Sequence, residues 1–111
     1  MQNIFTEKVK YWKPRINLKR TKNEYILTAD LPGCETKNVH VTLKDNILTI
    51  KGEHIIEEKN EYYFQERQSG FFERSVYLYE KTIEQNKIDA KMQNGVLIVR
   101  IKKAPELQVI P

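Results

Sequence analysis

His40, His54 and Cys34 are the side chains of this chain most suited to metal binding or nucleophilic attack. The two histidines stand 14 positions apart, and no ligand-like spacing of further donors surrounds them. Metal sites place their ligands in short, recurring intervals, so no metal is expected. His40 falls on the polar phase of an alternating segment, where water is its partner. Cys34 follows Gly33, in a stretch with turn chemistry. A thiol nucleophile requires a base beside it, and nothing in the spacing supplies one, so Cys34 reads as a spectator. Carboxylates are many, but no pair stands out as an acid and a base. Neither a phosphate-binding Walker loop nor a G-x-G-x-x-G turn is present. The expectation is a protein that is not an enzyme and needs no cofactor.

Arg74 is different. It shares the apolar phase of its segment with Phe72 and Val76. A guanidinium on a buried face must find a partner or reach water. It either snorkels to a rim or pairs with a carboxylate.

The elements that must position these residues follow from size and pattern. At 111 residues one domain is expected. The apolar share of 40% against 31% charged is that of a globular chain. No apolar run approaches the roughly 20 residues of a membrane span, and Met1–Lys13 lacks the apolar core of a signal peptide. One cysteine cannot form an intrachain disulfide, which agrees with a cytoplasmic protein. The net charge of +4 is a lysine excess dispersed among glutamates, with no basic block interleaved with aromatics. Nucleic acid is therefore not an expected partner.

Met1–Trp12 reads as an arm. Phe5, Val9 and Trp12, with Ile4 beside them, recur at the spacing of a short amphipathic helix, and Pro14 ends it. From Arg15 the period is two. Ile16 and Leu18, then Tyr25, Leu27, Ala29 and Leu31, then Val39, Val41 and Leu43, then Leu48 and Ile50 alternate with polar neighbours. Half-buried antiparallel strands have this pattern. Turn chemistry punctuates them at 21–23, at Pro32-Gly33, at Asp45-Asn46 and at Gly52. Asn94-Gly95, set between strand-like segments, is a strong hairpin signal. The charged stretch 53–70 breaks the rhythm and carries Tyr62-Tyr63-Phe64 inside it. It is read as a short strand over 62–68 held out on two arms. Residues 82–86 are read as a short helical turn. Many short strands with frequent turns imply an antiparallel sandwich.

Five blocks, in order, resemble the small heat-shock protein family. Ala29-Asp30-Leu31-Pro32-Gly33 resembles its A-D-L-P-G turn, and residues 46–53 its N-x-L-x-I-x-G-E strand. Residues 66–74 resemble its E-R-x-x-G-x-F-x-R block, and 90–97 its A-x-x-x-n-G-V-L signature. Leu107-Gln108-Val109 resembles its tail motif. The resemblance implies an all-β, immunoglobulin-like antiparallel sandwich, the α-crystallin domain, over 15–103. An arm (1–14) would precede it and a tail (104–111) would follow. It implies the bacterial and plant version of that domain. There the strand of the long excursion crosses to a partner and pairs with the partner's first strand. Tyr62, Tyr63, Phe64 and Arg74, with Ile16 and Leu18, are then the dimer interface. Arg74 would pair with a partner carboxylate such as Glu57, Glu58 or Glu61. Leu107 and Val109 would anchor the tail.

The activity the resemblance implies is that of an ATP-independent holdase, which binds unfolding proteins through exposed apolar surface and prevents their aggregation. The client surfaces would be the arm (Ile4, Phe5, Val9, Trp12) and a groove near Val39, Val41, Val96 and Ile98. Homodimers or larger homo- or hetero-oligomers are the expected assemblies. Since the arm is shorter than the family's usual one, a second reading stands beside the first. It is a small dimer that co-assembles with larger chaperone oligomers and has weak holdase activity of its own. A monomeric co-chaperone of the related CS-domain sandwich fits less well, because such domains lack the excursion and the tail motif.

Overall fold

The computed structural model describes residues 11–56, 61–79 and 83–103. They form eight strands: β1 (Tyr11–Trp12), β2 (Ile16–Arg20), β3 (Glu24–Asp30), β4 (Val39–Lys44), β5 (Ile47–His54), β6 (Gly70–Tyr77), β7 (Ile83–Gln93) and β8 (Val96–Lys103). One sheet has the order β1-β6-β5-β4, the other β2-β3-β8-β7. Every pairing is antiparallel except that of β1 with β6, which is parallel. Among the described residues no helix is long and apolar enough to cross a membrane.

The period-two residues become the interior. Tyr25, Leu27, Ala29 and Leu31 from β3 and its end meet Leu97, Val99 and Ile101 from β8. Leu48, Ile50, Phe72 and Leu78 come from the other sheet. Ile26, on the opposite phase of β3, is also buried. It lies between Lys19 and Arg100 in the ladders, whose aliphatic stems can cover it while their charges reach water.

The turns work as their residues require. Asp45 and Asn46 have φ of 51° and 63°, and Asn94 and Gly95 have φ of 54° and 77°. Both pairs suit the two-residue hairpins whose twist matches the flanking strands. The Leu31 amide donates to the Gly95 carbonyl at 2.8 Å, and a Cβ on Gly95 would stand 3.2 Å from the Pro32 Cα. Two motif blocks far apart in sequence are therefore one contact in space. Gly52 permits another close approach: a Cβ there would fall 2.1 Å from the Asn38 carbonyl oxygen.

Three expectations are corrected. Trp12 does not lie on a helix; with Tyr11 it pairs beside Phe71 and Phe72, because the edge of β6 offers hydrogen bonds that an isolated helical turn lacks. Residues 83–86 are not a helical turn. They belong to the 11-residue β7, whose ladder with β8 shifts register between Ile83 and Ile88. Such a shift accommodates extra residues without leaving the sheet. Residues 62–68 form no strand within this single chain.

Candidate functional site

Strand β5 ends at His54 and β6 begins at Gly70. Between them the described residues 61–69 leave the sandwich as an irregular excursion. Two of its three aromatic side chains stand in water, Phe64 83% exposed and Tyr63 fully so, while Tyr62 is about half covered at 47% exposed. Exposed aromatics in a contiguous run indicate a surface meant to be covered.

A sheet edge stands on the same molecule. Among the described residues β2 is the outermost strand of its sheet and pairs only with β3. Ile16 lies opposite Ala29 and packs against the core, while Leu18, opposite Leu27, is exposed. A strand of this kind is a template for pairing with another chain.

Arg74 faces inward, opposite Ile50, as its phase indicates. It is half-buried, and its Nη1 donates to the Pro14 carbonyl at 3.0 Å. Among the described residues it thus has a partner in a backbone oxygen of the segment that leads into β2. Glu57 and Glu58 lie outside the described residues, as do Ile4, Phe5, Val9, Leu107 and Val109.

Trp12 is engaged rather than free. Its indole N–H donates to the Gly70 carbonyl at 3.0 Å, and its ring packs on Phe72 at 5.2 Å between centroids. Val39 and Val41 are half-buried against the core. The groove beside them differs from expectation. β4 is the edge of one sheet and contacts β7, the edge of the other. Val96 and Ile98 belong to β8, which lies between β3 and β7. The half-buried apolar residues at this open side are Val39, Val41 and Leu43 with Ile88 and Met92.

His40 is exposed. Cys34 is half-buried, and that burial pushes its thiol above its ordinary value. A raised thiol is a poorer nucleophile at neutral pH, since the thiolate is the reactive form. Among the described residues no three His, Cys, Asp or Glu side chains gather into a cage for an ion. His54 was weighed in the sequence only as a metal ligand, and its buried place was missed. It is 6% exposed, and its Nδ1 lies 2.6 Å from the Gln68 carbonyl oxygen. A signal was available: Leu48, Ile50, Gly52 and His54 continue one inward phase of β5.

The site is thus an exposed aromatic excursion and an edge strand carried by a two-sheet β-sandwich. The chain belongs to the Hsp20/alpha crystallin family, whose profile matches residues 17–109. It is 39% identical over 93 residues to small heat shock protein C2 of Rickettsia felis, covering 81% of this chain and 60% of that protein. It is 41% identical over 96 residues to an 18.1 kDa class I heat shock protein of Arabidopsis thaliana, covering 83% and 59%. The chain thus spans about 60% of the length of these curated relatives. A small heat-shock protein from Xylella fastidiosa, whose crystal structure is described as a distinct high order structure, superposes with a TM-score of 0.81 at 31% identity. That match covers 90% of this chain and 94% of that one.

Proposed function

We propose that this protein is an ATP-independent holdase that works as a dimer or larger assembly in the cytoplasm. The observation that carries the reading is the exposed Tyr62-Tyr63-Phe64 run, present together with the β2 sheet edge of the same chain. In a pair of copies, each excursion becomes a strand against the partner's Ile16–Arg20, and the aromatics leave water. The coil seen in one chain fits this, because an isolated strand has no ladder to hold it.

Client capture needs no chemical step. Apolar burial supplies roughly 25 cal/mol per Å², and holding the unfolded form removes it from aggregation by mass action. The surfaces for this are the open side between β4 and β7 (Val39, Val41, Leu43, Ile88, Met92) and the arm residues Ile4, Phe5 and Val9. Trp12 is assigned elsewhere by its contacts. Leu107 and Val109, two apart, would present both side chains to one side of an extended tail and anchor it on such an edge.

The test is light scattering from reduced insulin with increasing amounts of this protein and no nucleotide. Suppression at near-stoichiometric amounts supports the holdase. Unchanged scattering from a protein that still dimerises favours the co-assembling partner instead.

A further inference from the structure

Two parts of this chain that the functional reading treats separately, the entry segment 11–15 and the excursion 61–69, are tied at one place. Trp12 Nε1–H donates to the Gly70 carbonyl at 3.0 Å, and His54 Nδ1 lies 2.6 Å from the Gln68 carbonyl. The two rings meet edge to face with centroids 6.3 Å apart. Both acceptors lie at the root where the excursion rejoins the sandwich. A carbonyl oxygen can only accept, so Nδ1 of His54 carries a proton and donates it. Arg74 adds a third tie, from β6 to the Pro14 carbonyl. Behind them a cavity of about 380 Å³ separates Lys13–Arg15 from Glu66–Gln68, with Trp12 and His54 in its wall.

We propose that Trp12 and His54 form a latch that couples the entry segment to the aromatic excursion. In this latch both act as positioning residues. His54 fixes the direction in which the excursion leaves the body, and Trp12 holds the same root from the arm side. Anything that pulls on the entry segment 11–15 then loosens the exchange strand, and seating that strand steadies the entry segment. Coupling between sites is reciprocal in free energy, so both directions are open to measurement. Its consequence for assembly rests on the dimer reading proposed above, whereas its geometry belongs to the single chain.

Three variants of the full chain test it: Trp12→Phe, His54→Phe and His54→Asn. The first keeps a ring and removes the donor. The second does the same for the imidazole. The third returns an N–H near the Nδ1 position. The readouts are the rate of chymotryptic cleavage at Tyr62–Phe64 and amide exchange at Tyr11–Lys13. Loss of one intramolecular hydrogen bond predicts changes of about fivefold. Trp12→Phe is expected to speed cleavage of the excursion, and His54→Phe to speed exchange in the entry segment. His54→Asn is expected to return both rates toward wild type. Imidazole ¹⁵N shifts of the wild type are expected to show the Nδ1–H form.

Variants that each disturb only their own side, or an Nε2–H tautomer, would overturn the latch. If His54→Phe loses its cooperative urea transition, the Trp12→Phe cleavage rate decides alone. Sedimentation of the wild type separates the two ideas. A monomer removes the exchange-strand reading, and the latch is still judged on the two rates.

Discussion

The β7–β8 hairpin and the excursion of residues 61–69 are both rich in large apolar or aromatic side chains, yet they end in opposite states. In β8, Leu97, Val99 and Ile101 are nearly inaccessible, each donor and acceptor row is shared with β3 and β7, and the Asn94-Gly95 turn closes the unit. In the excursion, Tyr62, Tyr63 and Phe64 are exposed and no ladder forms. Composition alone does not separate these cases. Pattern does: alternation with period two places one face on a core, whereas three consecutive aromatics inside a charged run cannot all turn to one face, and Tyr63 and Phe64 are left in water. The first region completes the fold of one chain, and in the proposed reading the second is covered by another.

This contrast sets the largest expected effect. Ile50→Ala and Val99→Ala each remove a side chain with no exposed surface, and about 2–4 kcal/mol of stability is expected to go with the cavity and lost burial. Tyr63→Ala is expected to stay within about 0.5 kcal/mol. Urea titration at a concentration where dimers dissociate checks both. Equal losses would mean that the excursion folds onto its own domain and that the contrast is wrong.

Arg74→Ala comes next. It removes a charged donor from the Pro14 carbonyl, with about 1.5–3 kcal/mol expected for a bond of that type. Read in the monomer by urea and in the dimer by sedimentation, it sharpens the comparison. A loss confined to the dimer would assign Arg74 to a partner carboxylate rather than to Pro14. Gly95→Ala tests the closed hairpin: a Cβ at φ of 77°, beside the Pro32 backbone, is expected to cost about 1–2 kcal/mol. No shift in the urea midpoint would mean that the turn is free to relax. Arg100→Ala is the smallest. Its 2.6 Å pair with Glu24 is partly exposed, so about 0.2–1 kcal/mol is expected, fading in high salt. A loss that persists at 1 M salt would point to the Arg100 stem covering Ile26 instead.

Much of this was legible in the sequence, for a physical reason. Alternation reports one buried face per strand, and that is why β2 to β6 and β8, the two hairpin turns and the inward phase of Arg74 could be read from residues alone. What was not legible depends on distant partners. Phe5, Val9 and Trp12 have helical spacing, but Trp12 is recruited by Gly70 and Phe72, far along the chain. Residues 84–87 carry no alternation, because β7 is an edge strand with a register shift near its start. The groove was misassigned for a related reason: Val96 and Ile98 look like an exposed edge until the strand order places β7 outside them. His54 was passed over because histidines were weighed as ligands. Its place at the end of the Leu48, Ile50, Gly52 phase was the better guide.

The central claim is that the excursion is an intermolecular strand. The most direct measurement is sedimentation of the wild type beside the triple variant Tyr62→Ser, Tyr63→Ser, Phe64→Ser. The account predicts a wild-type particle of at least twice 13.2 kDa and a monomeric variant whose urea midpoint, under dissociating conditions, equals that of the wild type. A triple variant that keeps the wild-type mass would show that other surfaces join the copies, and the account would be wrong at its centre.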